Sequence, residues 1–170
     1  GPPSSAPLPI SDWDWSKTLT STTDGYFPST PATNLLFGLQ EAVAMLMEEG
    51  LDEVFARHAR LAEATRRAVQ AWGLELLCRN LDQYSSSLTA VQMAHGVNAD
   101  DFRRIVLDRF GMPLGNGLGQ LAGRVFRIGH LGDFNELMLL GSLSGIEMGL
   151  AASGIDYQAG GVQAAIDFLS

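Results

Sequence analysis

The residue whose type and setting most suggest chemistry is Arg127. It stands inside the short apolar run Val125–Ile128, within the glycine-rich stretch Leu114–Gly132. A guanidinium offers a planar fork that matches a carboxylate or a phosphate. Two readings are open on spacing alone: an ion pair with Asp101, Glu136 or another acid, or an anchor for a small carboxylate. Upstream, Tyr26 and Thr30 set two hydroxyls beside Pro28 and Pro31. They read as packing and helix-cap residues, or as donors to an anion.

Other chemistries have weaker support. His58 has no second ligand at helical spacing, and His95 and His130 have no Ser or Cys partner nearby in sequence. No metal site is expected. His130 is the best placed of the three, because it follows Arg127 by three residues. Cys78 is the single cysteine, so no disulfide is expected, and it reads as an apolar residue buried in a strand. The chain has no Gly-x-Ser-x-Gly, no His-Glu-x-x-His and no Walker loop. The glycines from 115 to 123 lack the long preceding strand and the following helix of a dinucleotide site.

Bulk properties narrow the partners. The formal net charge is −8, with a pI near 4.7, which argues against a nucleic-acid surface. No run of about 18 apolar residues suits a membrane span. Residues 1–11 are Pro- and Ser-rich, with neither a charged nor an apolar leader region, and the cysteine is solitary. A cytoplasmic setting is the simplest expectation.

The elements that would position Arg127 follow from periodicity. Residues 1–31 read as an extended arm or linker, including a polar loop over 16–25. Leu35, Leu36, Leu39, Val43, Leu46 and Met47 mark a helix over about 32–49. A second spans about 51–72, and its Arg57, His58, Arg60, Arg66 and Arg67 read as a solvated face. The block 32–72 is expected to be a helical join to something larger, and 73–170 a small α+β domain. Within that domain, strands are expected at 74–78, 87–93, 112–114 and 125–128. Helices are expected at about 98–110, 133–153 and 161–169. Three or four strands with this many helices imply a small antiparallel sheet packed with helices, an α+β fold preceded by two long helices. Gly141, Gly145 and Gly149 recur every four residues and imply tight helix packing.

Three segments together resemble the C-terminal part of serine–glyoxylate aminotransferases. They are Tyr26–Glu41, with its Tyr-Phe-Pro-Ser-Thr-Pro start, Gly50–Arg66, and Gly123–Glu136, which carries Gly-Arg-Val-Phe-Arg-Ile-Gly-His-Leu-Gly. These are class V, fold-type I enzymes using pyridoxal 5'-phosphate, alongside alanine–glyoxylate aminotransferases. The resemblance implies that Arg127 binds the substrate carboxylate. It also implies that Tyr26 and Thr30 reach the cofactor phosphate of a neighbouring subunit in a homodimer. The substrates implied are small amino and keto acids, with the amino group of serine or alanine passing to glyoxylate. The family's Schiff-base lysine lies in a Ser-x-Lys-Gly context that is absent here, and the only lysine is Lys17. The chain is therefore expected to lack the catalytic base and to be inactive alone. The rival expectations are a non-catalytic dimerising or carboxylate-binding module, and another class V enzyme.

Overall fold

The computed structural model describes residues 14–170. Two compact units divide the chain, one ending at Glu49 and one running from Gly50 to Ser170. The first eleven residues of the expected arm, together with Asp12 and Trp13, lie outside the described residues.

The first unit holds α1 (Trp15–Thr23) and α2 (Thr33–Glu49). A helix at α1 departs from the polar loop expected there. Asp14 starts it by accepting the Ser16 N–H (3.0 Å), and the hydroxyls of Thr20, Thr22 and Thr23 each donate to the carbonyl four residues back. Hydroxyls that would compete for the backbone in a loop are here turned onto the helix itself. In α2 no residue is buried, and Leu35 and Phe37 are 75% and 70% exposed.

The second unit is built as α3 (Leu51–Ala71), β1 (Glu75–Leu76), β2 (Leu88–Gln92), α4 (Ala99–Phe110), β3 (Gly115–Asn116), β4 (Val125–Gly129), α5 (Glu136–Ser153) and α6 (Gly161–Leu169). Helix α3 thus packs with the sheet domain in one unit. The strands form one antiparallel sheet in the order β1-β2-β4-β3, as expected of an α+β fold. The third strand lies at 115–116 rather than 112–114, because Gly115 and Asn116 are the residues that pair with Arg127 and Phe126. Cys78 falls beyond the end of β1, half-buried, with its Sγ near the Asn80 carbonyl (3.4 Å), so it is not a buried strand residue.

Helices α3, α4, α5 and α6 cover one face of the sheet. Val91, Phe126 and Ile128 from the strands meet Leu61, Trp72, Phe102, Val106, Leu139, Leu143, Ile146 and Leu150. Phe102 and Phe126 stack in a tilted pair with ring centres 5.0 Å apart. The glycine stripe of α5 does pack closely over part of its length. A Cβ on Gly149 would fall 2.4 Å from Val106, and one on Gly145 would fall 2.8 Å from Met112, whereas Gly141 faces open space.

Glu147 ties three helices together. Its carboxylate accepts from Trp72 Nε1 (2.9 Å) at the end of α3, and from the Gly160 and Val162 amides (2.7 and 3.0 Å) at the start of α6. Burial pushes its pKa up, but the three donors outweigh burial and hold it below the ordinary glutamate value. A depressed carboxylate stabilises the fold fully above that ordinary value and less as pH falls through its folded value. Glu147→Gln is expected to cost about 1–3 kcal/mol in urea titrations at neutral pH, and the loss should shrink in acid. Gly149→Ala is expected to cost about 1–3 kcal/mol by overpacking against Val106.

Candidate functional site

Strand β4 alternates its side chains. Phe126 and Ile128 enter the helix-covered core, while Arg127 lies on the opposite face. Register sets its neighbours: Ala90 of β2 on one side and Gly115 of β3 on the other. Both are small, and a Cβ on Gly115 would fall 3.2 Å from Arg127 Nε. The guanidinium therefore lies against bare backbone on the β3 side. Among the described residues, Arg127 Nε is the one buried side-chain nitrogen or oxygen without a hydrogen-bond partner.

Among the described residues Arg127 forms no ion pair. Asp101 pairs with Arg104, and Glu136 pairs with Arg60. A buried donor left unpaired costs about 1–3 kcal/mol, and more when charged. Nε is sealed against the strand, so the two terminal nitrogens are the part of the fork left to an external acceptor, and their geometry suits a carboxylate. The preceding glycine loop shapes the neighbourhood. A Cβ on Gly117 would fall 2.0 Å from the Leu121 carbonyl oxygen, so no larger residue fits that bend.

His130 is fully buried at the exit of β4. Its Nδ1 lies 3.2 Å from the Ser86 carbonyl, which can only accept, so Nδ1 carries the proton. Its Nε2 then accepts the Thr89 hydroxyl at 2.9 Å. His130 is thus a structural link between β2 and β4 rather than a free base. Burial holds its pKa below the ordinary value, with Arg66 and His58 adding to the shift against two opposing hydrogen bonds.

The basic residues of α3 are only in part the solvated face expected: Arg60 and Arg67 are exposed, while Arg57, His58 and Arg66 are half-buried. Arg57 donates to the carbonyls of Gly132 and Phe134 (2.8 and 3.0 Å), and His58 Nε2 accepts the Gly132 amide at 3.1 Å. Arg66 and Arg67 share Glu63 and lie over the rings of Tyr84 and Phe168. The Arg57 and His58 contacts hold the segment that follows β4. Sequence spacing could not reveal them, since His58 and Gly132 lie 74 residues apart.

Tyr26 and Thr30 lie in the first unit, between α1 and α2, and Arg127 lies in the second. Tyr26 is 76% exposed, Thr30 is exposed, and neither hydroxyl has a hydrogen-bond partner among the described residues. His95 lines a separate cleft of about 760 Å³ with Glu75, Gln92, Arg124 and Asp156. Arg127 is not part of that cleft, and its acids and bases balance in number. No group of three metal-ligating side chains occurs among the described residues.

Thr89→Val is expected to strand His130 Nε2 without a donor, at about 1–3 kcal/mol by chemical denaturation. The depressed imidazole also fixes a pH sign. Its stabilisation is complete above the ordinary histidine pKa and declines as pH falls from there toward the lower folded value. Replacing His130 with Gln is expected to flatten that segment of the stability–pH curve.

No protein-family model matches the chain. It is 47% identical over 158 residues to a serine–glyoxylate aminotransferase of Methylorubrum extorquens, covering 92% of this chain and 39% of that protein. It is 46% identical to the serine–glyoxylate aminotransferase of Arabidopsis thaliana, covering 85% of this chain and 36% of that protein. An L-aspartate–glyoxylate aminotransferase of Paracoccus denitrificans is 42% identical, covering 82% of this chain and 35% of that protein. Among solved structures, the ureidoglycine–glyoxylate aminotransferase of Bacillus subtilis superposes with a TM-score of 0.81 at 30% identity, over 89% of this chain and 41% of that one. The chain thus spans about two-fifths of the length of the relatives it matches. In sequence it is similar to part of the serine–glyoxylate aminotransferases, and in its α+β fold to part of a ureidoglycine–glyoxylate aminotransferase.

Proposed function

We propose that this chain supplies the carboxylate-binding part of a pyridoxal-phosphate-dependent glyoxylate aminotransferase. The observation that carries the proposal is the placement of Arg127 on the face of the sheet opposite the core, between Ala90 and Gly115, with no ion-pair partner among the described residues. In this role Arg127 holds the carboxylate of a small amino or keto acid such as serine or glyoxylate, fixing the orientation of its α-carbon. Alanine or aspartate are the alternative amino donors, the latter because one relative is named for it.

Two features of the chain bear on the cofactor. The unpaired hydroxyls of Tyr26 and Thr30 fit a phosphate group, and they are the residues that would hold it in a neighbouring subunit. The amine that would bind the cofactor covalently has no good counterpart. Lys17 is the only lysine, sits in the first turn of α1, and already has an interaction partner. When bound, pyridoxal phosphate supplies the electron sink for amino-group transfer. This chain's residues bind and orient.

A homodimer in a cytoplasmic setting belongs to the same proposal. The exposed apolar residues of α2 support the first, and the solitary cysteine supports the second. No helix of the described residues is long and apolar enough to cross a membrane. The bare face of α2 also favours a second reading, a non-catalytic module that associates through that helix.

Two measurements test the proposal. In calorimetric titration with glyoxylate, Arg127→Gln is expected to weaken binding about 10- to 100-fold, the value of a charge-assisted fork. Unchanged binding would remove the basis of the proposal. Borohydride reduction of the chain with pyridoxal phosphate is expected to leave no stable adduct on Lys17 and no amino transfer. A trapped adduct with turnover would show that the chain carries its own catalytic amine.

A further inference from the structure

We infer that Gly115 is the residue that dictates how Arg127 meets its anion: end-on, through the two terminal Nη nitrogens, with Nε held out of reach. The inference rests on the assignment of Arg127 as a carboxylate anchor and goes beyond it to a positioning residue on a different strand.

Register pairs Gly115 with Arg127 across β3 and β4. A side chain at 115 would crowd the arginine and force it to shift. An ideal Cβ there would be 3.0 Å from Arg127 Cβ and 3.2 Å from Nε. The first contact is with the rigid root of the side chain, so it cannot be relieved by swinging the guanidinium alone. With no Cβ, the guanidinium stem settles on the strand and its Nε is sealed off from solvent without a partner. The opposite flank is Ala90, again too small to displace it.

A carboxylate can meet an arginine along the Nε–Nη edge or along the Nη–Nη end. The first approach needs Nε accessible. Here Nε is the nitrogen that is sealed in, which leaves the Nη pair as the face offered. Gly115 therefore fixes both the pose of the arginine and the direction from which the anion arrives. Its backbone φ is not in the left-handed region, so its small size, not its backbone freedom, is what the position uses.

The test uses the chain labelled with nitrogen-15, following the arginine side-chain N–H signals during titration with glyoxylate. The unsubstituted chain is expected to show one exchange-protected Nε–H signal that vanishes in Arg127→Gln. Glyoxylate is expected to perturb the terminal N–H₂ signals more than Nε–H. Gly115→Ala is expected to displace the Nε–H signal and to weaken glyoxylate binding about three- to tenfold, the scale of a sub-ångström misplacement. Asn116→Ala, on the same strand, is expected to change neither, and the backbone amide spectrum reports whether each variant is folded. A folded Gly115→Ala chain with an unmoved Nε–H signal and unchanged affinity would overturn the inference while leaving the anchor intact. Glyoxylate binding that is absent, or indifferent to Arg127→Gln, would overturn the anchor assignment itself. A perturbation centred on Nε–H would overturn the end-on geometry alone.

Discussion

The second unit depends on one constraint: a charged side chain is carried in the middle of a sheet whose other face is a packed core. Arg127 can occupy that place because both flanking strands present almost nothing there, Gly115 on one side and Ala90 on the other. The same strand sends Phe126 and Ile128 into the core, so its register cannot slip by one residue without burying the arginine among helices. Core packing and charge placement are set by the same pairing.

What surrounds that strand reinforces its exit. His130 bonds to Ser86 and Thr89, and α3 reaches across with Arg57 and His58 to hold Gly132 and Phe134. His58 is fixed in one tautomer: Nδ1–H donates to the Val54 carbonyl (2.7 Å), leaving Nε2 to accept. Helix α3 is therefore part of the second unit's own fold. It is one wall of the core through Leu61, Val69 and Trp72, and a brace for the loop beyond Arg127.

Much of the architecture was legible because helix ends carry local signals. Asn98 and Asn135 accept from the amides that open α4 and α5, and Gly111 and Gly154 close those helices in the left-handed region. Helix α1 was not legible, since a run of Ser and Thr shows no apolar period and its stabilising bonds run from side chain to its own backbone. Strand β3 has two residues, too few for any pattern, and only its pairing with β4 defines it. At the site, Arg127 stood out as a cation among apolar residues. The role of its setting did not, because Gly115 matters through cross-strand register, and His130 through a partner 41 residues away.

The contrast between the two units also bears on how such a chain comes into being. The second unit closes its own core around Trp72, Phe102 and Phe126 with residues it already contains. Helix α2 buries nothing, yet it is the earlier of the two to be synthesised. During translation it would emerge with Leu35, Phe37 and Met47 bare, before the residues of the second unit are made. A bare apolar helix made ahead of the self-sufficient unit is the stretch of this chain most exposed to aggregation while the chain is nascent.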